Sequence, residues 1–298
     1  MRTLLTMSQN KNVSALFLLL VLSLIWGTSF ILIKQGLKVF SPEVLGAFRV
    51  TAASIFLLPL AIPRLKELKR GDPSKLFISG LMGVFFPAFL FAFAQTKLNS
   101  SLAGILNTLS PLWTMILGAM FFTQRFRGYA ILGIILSFLG AIMLALSRSG
   151  GTITGFNLYA LLIVLATVFY GANVNWVKFR IKELGPITIT SVSLLFIGPI
   201  AAVYLFFFTD FTYTLTHEPE AWKAFGFIAL LALMSTAIAG LLFNKLLRIS
   251  SPIYASSVTY IMPIVAVMWG VIDGEKLLTG HFVGMAAILF GVYLANKK

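Results

Sequence analysis

The sequence predicts an all-α integral membrane protein with ten transmembrane helices, arranged as two five-helix repeats of inverted topology. Three observations lead to this prediction: the composition, the number of apolar stretches of spanning length, and a pattern that recurs in the second half. The chain has 298 residues, of which 59% are hydrophobic and 11% are charged, and its mean hydropathy is +0.96. Because soluble domains usually carry about 25% charged residues, this chain lacks the polar surface to cover a globule in water.

The apolar stretches predict the individual spans, since a transmembrane helix needs about 20 predominantly apolar residues. The stretches of this length are 13–35, 42–62, 75–95, 100–122, 129–147, 156–178, 186–208, 222–247, 252–272 and 279–296. Short connections with turn signals such as Ser41-Pro42 and Gly185-Pro186 separate them, and no soluble domain fits between them. The first stretch is longer than the apolar part of a signal peptide and lacks a small-residue cleavage site after it, so we expect it to be retained.

The positive charges between the spans predict the orientation of the chain. The formal net charge is +14, which in a soluble protein would suggest a nucleic-acid partner. Here most Lys and Arg residues fall in connections on the same side as the N-terminus, as they do in cytoplasmic loops. We therefore expect the lipid bilayer, rather than nucleic acid, as the surroundings, with both termini in the cytoplasm.

The second half of the chain repeats features of the first half. Trp26-Gly27 and Ser41-Pro42 recur at one constant spacing as Tyr170-Gly171 and Gly185-Pro186. We therefore predict two repeats, 13–147 and 156–296. Because each holds five helices, an odd number, the second repeat enters the membrane from the opposite side. Inverted repeats of this kind are typical of secondary transporters.

Several of these residues also resemble a known family. The matching features are Trp26-Gly27-x-x-Phe30, Arg49 in the second span, the mid-span Pro111 and Pro263, and Gly274-Glu275 leading to Gly284. This pattern is similar to that of the drug/metabolite transporter superfamily, in particular its ten-helix members with two EamA-like domains. The resemblance implies a substrate path between the two halves and a location in a cytoplasmic (inner) membrane. The chain departs from the family pattern at Gln124, where a Glu is expected, and has Ser193 where the first half has Arg49.

Polar and aromatic residues at mid-span predict a central substrate site. A polar side chain at this depth is costly against lipid, so Asn107 is expected to line a cavity or a helix contact. Ser29 and Asn173 each share a helix face with an aromatic residue three positions earlier. The predicted substrate-binding residues are Trp26, Ser29, Asn107, Tyr170, Asn173 and Tyr260. Such a lining suits a small, neutral or amphipathic organic solute.

Pro111 and Pro263 predict helix kinks in the fourth and ninth spans. Proline removes a backbone hydrogen bond, and in lipid this is tolerated only where the freed carbonyl is buried in protein or faces water. The polar groups near each proline could therefore line a cavity, or they could only satisfy the kink and pack helices. Both readings stay open at this point.

Arg49 is the charged residue that lies well inside a predicted span. A guanidinium at this depth must reach the interface, bind carbonyl oxygens or pair with a carboxylate. We predict a gate pair between Arg49 and Glu275 near the outer side. Two alternatives are that Arg49 clamps a carboxylate or phosphate of a substrate, or that it only caps backbone groups.

Taken together, these features predict a secondary transporter, an exporter or exchanger that moves a small organic metabolite, such as an amino acid, nucleoside or amphipathic drug, by alternating access. We expect no enzyme activity, cofactor or metal site, since the chain has no Cys and His217 and His281 lack acidic partners at ligand spacing. Two alternatives are a lipid or polyprenyl-lipid flippase and a non-transport assembly or sensor subunit. We expect a functional monomer.

Overall fold

The computed structural model describes residues 2–124, 128–147, 158–275 and 279–296. Within these ranges the chain forms ten long helices. They are α1 (Arg2–Gly36), α2 (Pro42–Arg64), α3 (Asp72–Gln95), α4 (Ser100–Phe122), α5 (Gly128–Ser147), α6 (Tyr159–Arg180), α7 (Pro186–Phe208), α8 (Ala221–Ile249), α9 (Pro252–Ile272) and α10 (Thr279–Asn296). A short helix, Phe211–His217, precedes α8 and was not predicted.

The hydropathy of these helices confirms the all-helical membrane class. Eight of the described helices, all except α5 and α10, have the length and apolar composition needed to cross a membrane. The other two contain shorter apolar stretches, Gly128–Gly140 and Phe282–Gly291. Apart from the start of α1, which lies at Arg2 rather than at residue 13, the observed bounds follow the predicted spans closely, because a long run of apolar residues in lipid must satisfy its backbone hydrogen bonds internally and therefore forms a helix.

Local sequence signals explain where two of the helices begin. The Ser41 hydroxyl accepts a hydrogen bond from the Val44 backbone N–H at 3.3 Å, and the Ser251 hydroxyl accepts one from the Tyr254 N–H at 3.1 Å. A proline follows each serine, at the first helical position. There the missing N–H of proline costs nothing, because the first N–H groups of a helix have no partner within the helix. These two signals fix the starts of α2 and α9.

The helices of the two halves interleave. The most extensive contacts pair α2 with α7, α5 with α10, α1 with α9, and α4 with α6. Glycines allow two of these approaches: a Cβ atom on Gly27 of α1 would lie 2.5 Å from the Val265 Cβ of α9, and one on Gly171 of α6 would lie 2.6 Å from the Thr114 nitrogen of α4. Small residues at such contacts are the usual means of close helix packing in membranes.

Four helices depart from regular α geometry near their middle. α3 is π-helical over Leu81–Phe85 and α8 over Leu231–Ile238, while α4 forms a 3₁₀ turn over Asn107–Leu109. α9 is interrupted at Ser257. These segments leave the regular hydrogen-bond pattern of the backbone, and such departures occur frequently at functional sites.

The two prolines predicted to kink helices differ in their surroundings. Pro111 lies two residues after the irregular turn of α4, and the Asn107 carbonyl, which Pro111 cannot bond, accepts from the Ser110 hydroxyl at 2.9 Å. Pro263 lies within a continuous α-helical stretch, and the interruption of α9 is at Ser257, more than a turn earlier. The irregular turn therefore adjoins the proline in α4 but not in α9.

Candidate functional site

A cavity of about 140 Å³ lies at the centre of the helix bundle. Its walls come from α1 to α4 and from α6 to α9, which are the first four helices of each half. All four irregular helix segments contribute lining residues or border them. The cavity therefore lies where the two halves meet, and residues from both halves surround it.

Five of the six residues predicted to bind substrate line this cavity. They are Trp26, Ser29, Asn107, Tyr170 and Asn173. Tyr260 does not: its side chain is buried and packs with Ile105, Leu109 and Val267. Thr259 does line the cavity, and because each residue of an α-helix is rotated by about 100° from the one before, Tyr260 points away from it.

Two aromatic side chains form matching parts of the wall. The Trp26 indole Nε1 donates to the Ser235 carbonyl at 2.8 Å, and its ring lies 5.2 Å from that of Phe243 in α8. Tyr170 occupies the position in the second half that corresponds to Trp26 in the first. Its ring stacks on that of Phe91 in α3, with the ring centroids 6.1 Å apart. The two rings thus give the cavity apolar faces from both halves.

Asparagine side chains supply polar groups at three other points of the wall. The Ser79 hydroxyl donates to Asn173 Oδ1 at 2.8 Å, and Asn244 Nδ2 donates to the Thr190 hydroxyl at 2.9 Å. Asn107 Nδ2 has only a weak contact to the Met262 sulfur, at 3.8 Å, among the residues that the structure describes. The Asn107 amide therefore retains hydrogen-bonding capacity toward the cavity.

Arg49 also lines the cavity, although the residue is only 8% exposed. Its Nε donates to the Thr236 hydroxyl in the π-helical part of α8 at 2.8 Å. No Asp or Glu is found among the described residues that line the cavity. The cavity therefore carries a positive charge without a protein carboxylate opposite it.

The structure does not bring Arg49 and Glu275 together, so the predicted gate pair is absent. The Glu275 carboxylate accepts instead from Lys34 Nζ at 3.0 Å and from the Ser100 N–H at 3.2 Å. Glu275 lies just beyond α9, beside the first turn of α4, where free backbone N–H groups favour a carboxylate. Arg49 lies two turns inside α2, facing the cavity, so its neighbours come from α8.

Glu275 belongs to an ion-pair cluster formed by Lys34, Asp273 and Glu275. Lys34 Nζ lies 2.6 Å from an Asp273 carboxylate oxygen and 3.0 Å from Glu275, and Gln35 Nε2 donates to Asp273 at 3.2 Å. The cluster joins the ends of α1 and α9 to the start of α4. It therefore ties three helices together at the end of the bundle away from the chain termini.

The opposite end of the bundle is held by neutral partners at the corresponding positions. Gln124 occupies the position in the first half that corresponds to Glu275 in the second half. Its side-chain Nε2 donates to Asn175 Oδ1 at 2.7 Å. Lys178, the counterpart of Lys34, donates to the carbonyls of Leu247 and Ser250 at 2.8 and 2.7 Å. The two ends thus differ in charge pairing although the fold is similar at both.

Sequence reasoning missed several polar lining residues. They are Ser79, Thr190, Ser235, Thr236, Asn244 and Ser256. Serine and threonine carry a weak signal, because their hydroxyls can bond to the carbonyl one turn earlier in their own helix. The Ser235-Thr236 pair inside an apolar span was the available signal for one side of the cavity.

These features define an integral membrane protein with a cavity, lined by apolar and aromatic residues and by several polar groups, within its bundle of spanning helices. The chain belongs to the EamA-like transporter family, which matches residues 13–146 and 157–297. The resemblance noted in the sequence is therefore confirmed, and the family is one of transporters rather than enzymes. The two matches fall on the two halves of the chain.

Individual relatives agree with this assignment. An uncharacterized transporter of Archaeoglobus fulgidus is 24% identical over 92% of this chain and 95% of its own length. The uncharacterized inner membrane transporter YedA of Escherichia coli K12 is 26% identical over 93% and 89%. A probable amino-acid metabolite efflux pump of Salmonella typhimurium is 28% identical over 57% and 55%. A solved crystal structure has the same fold, with a TM-score of 0.70 at 18% identity, and covers 95% of this chain and 96% of that one.

Proposed function

We propose that this protein is a secondary transporter, an exporter or exchanger, that moves a small organic metabolite by alternating access through the central cavity. The observation that carries this proposal is the position of the cavity, which is enclosed by the first four helices of both halves. The substrate-binding residues would include Trp26, Ser29, Asn107, Tyr170 and Asn173. The Salmonella relative named as a probable amino-acid metabolite efflux pump supports a small metabolite as the cargo.

The ten helices would form two five-helix repeats of inverted topology. The contacts support this, since α1 packs on α9 as α6 packs on α4, and α1 contacts α8 as α6 contacts α3. The π-helical segments also occupy the third helix of each half. Two similar halves can exchange conformations, which would turn a cavity open on one side into a cavity open on the other.

We further propose that both termini are cytoplasmic and that the ion-pair cluster closes the outer end. Positive charge in the loops on the side of the termini supports this orientation, as does the inner-membrane relative in Escherichia coli. Lining residues such as Thr190, Asn244 and Ser256 lie near the helix ends on the side of the termini. The structure would then correspond to a state closed outward, and a monomer would suffice for transport.

A thermal-shift screen tests the proposal on the detergent-purified protein. The probes are amino acids, nucleosides, sugars, polyamines and lipophilic amines, applied to the wild type and to Trp26→Ala and Asn107→Ala. A ligand present at about 100 times its Kd adds roughly 2.7 kcal/mol of stability. We expect one class of solute to stabilise the wild type and to lose this effect in both variants, and its labelled form to enter proteoliposomes.

The control for the screen is Trp222→Ala, because Trp222 is exposed and does not line the cavity. This variant should keep the response of the wild type. Stabilisation by lipids alone, with no effect of soluble solutes, would instead favour a lipid or polyprenyl-lipid flippase. Binding that survives both cavity substitutions would contradict a central site.

A further inference from the structure

We propose that the transported solute carries a carboxylate and that Arg49 binds it. This inference rests on the proposed function and names the class of solute. Among the described residues, the only hydrogen-bond partner of the Arg49 guanidinium is the Thr236 hydroxyl, which uses the Nε–H. Guanidinium has five N–H donors, so the four on the two terminal nitrogens remain.

The positive charge of Arg49 in the cavity would be balanced by an anionic group on the solute. Arg49 is buried, and no carboxylate lines the cavity in the described part of the chain. Burying an ion without a partner is strongly unfavourable, because the interior cannot replace its hydration. A negatively charged group on the solute would supply the missing partner, and it would do so only while the solute is bound.

Other donors in the cavity wall also lack strong acceptors. Ser193, which stands in α7 where Arg49 stands in α2, lines the same cavity, and its buried hydroxyl has no partner in the described part of the chain. The Asn107 Nδ2 donor has only the weak contact to the Met262 sulfur. A carboxylate has two oxygens that accept several hydrogen bonds, and it matches the planar guanidinium in a bidentate arrangement.

The number of charges favours a carboxylate over a phosphate. A phosphate monoester carries about −1.5 to −2 charges near neutral pH, whereas Arg49 is the one cationic side chain among the described lining residues. One guanidinium balances one carboxylate. The rings of Trp26, Phe91 and Phe243 face the rest of the cavity, so the solute would also carry an apolar part.

Matched pairs of probes test this inference on the full-length protein in detergent. Each pair has one carbon skeleton with either a carboxylate or its primary amide: phenylacetate, 3-phenylpropionate, L-phenylalanine and L-leucine, each with its amide. We expect the wild type to bind acids of the panel about ten to a hundred times more tightly than their amides, as the loss of a charged hydrogen bond implies. The Arg49→Gln variant should lose this preference. Equal binding of acids and amides across the whole panel by the wild type would overturn the proposal.

A structural role for Arg49 gives a different result. If Arg49 only caps neighbouring groups, Arg49→Gln should lower the unfolding midpoint of the ligand-free protein and keep any preference for acids. We expect instead an unchanged or raised midpoint, because the substitution removes a buried charge. Arg248→Gln is the matched control: Arg248 is exposed at the end of α8 and outside the cavity, so this variant should keep the preference for acids.

Proteoliposome uptake separates this inference from the proposed function. An Arg49-dependent preference for acids without movement of any labelled probe would support the carboxylate site but contradict the proposed transport. If the wild type moved the amides as fast as the matching acids, or faster, this would support transport but contradict the carboxylate site. Arg49-dependent movement of acids alone would support both.

Discussion

Gly171 shows how a single residue sets the distance between two helices. A Cβ atom at this position in α6 would lie 2.6 Å from the Thr114 nitrogen and 2.7 Å from the Trp113 carbonyl carbon, both in the backbone of α4. Backbone atoms cannot move aside as a flexible side chain can. One turn away, Asn175 Nδ2 donates to the Thr114 carbonyl at 2.8 Å, which depends on the same close approach.

We expect Gly171→Ala to lower stability by about 1 to 3 kcal/mol, because the added methyl group forces α6 away from α4. The matched control is Gly226→Ala in α8, where a Cβ atom would meet no atom within 4 Å. Replacing this helical glycine should be neutral or stabilising by up to about 1 kcal/mol. Unfolding midpoints of both purified variants measure the difference, and equal midpoints would contradict the packing described for Gly171.

Helical periodicity explains which cavity residues could be predicted from the sequence. Ser29 shares a face with Trp26, and Asn173 with Tyr170, because residues three apart are neighbours on a helix. Tyr260 does not line the cavity, since the same periodicity turns it away from the face of Thr259. The partner of Arg49 could not be predicted, because the contact with Thr236 depends on how α2 and α8 pack across the bundle.

At the scale of helices, the ion-pair cluster of Lys34, Asp273 and Glu275 joins α1, α9 and α4. The Glu275 side chain is only 5% exposed, so removal of Lys34 would leave a nearly buried carboxylate without its cation. The hydrogen bond and charge of Lys34 also hold the pKa of Asp273 below its ordinary value. The cluster therefore links the stability of this end to pH.

We expect Lys34→Ala to lower the unfolding midpoint near pH 7 and to reduce its dependence on acid pH. A carboxylate with a lowered pKa contributes stability above its pKa in the unfolded chain, about 3.9 for Asp. This contribution is lost as the pH falls through the lower pKa of the folded protein. Midpoints of the wild type and the variant measured between pH 3 and 7 should converge at the acid end; parallel curves would contradict this role of Lys34.

Helix positions were predictable from hydropathy, whereas the irregular turns within them were not. The bounds of α4 match the predicted span, because the mean hydropathy of this segment is high enough for lipid although it contains polar residues. Hydropathy carries no information on whether a backbone N–H bonds three, four or five residues back. The π-helical segments Leu81–Phe85 and Leu231–Ile238 therefore had no signal in the apolar pattern.

For the whole molecule, the two ends of the bundle differ in a way that bears on transport. At the positions that correspond to each other, one end has the ion-pair cluster, and the other has hydrogen bonds from Gln124 and Lys178 to uncharged amide and carbonyl oxygens. A difference of this kind sets the relative stability of two states in which one end or the other is open. We infer that breaking the cluster favours the state that is open at its end.

The accessibility of one cavity residue from each side of the membrane tests alternating access most directly. The chain has no Cys, so a single introduced thiol reports without background. Ser29→Cys changes one atom of a lining residue, and Ser23→Cys, on the same helix but fully buried outside the cavity, is its control. A membrane-impermeant maleimide is applied to vesicles of either orientation, with and without Lys34→Ala.

We expect Ser29→Cys to react from the side of the chain termini when Lys34 is present, and to react increasingly from the opposite side once Lys34 is replaced by Ala. Ser23→Cys should stay unreactive from both sides. Labelling of Ser29→Cys from the same side in both backgrounds, or from neither side, would contradict a cavity that opens alternately to the two sides of the membrane.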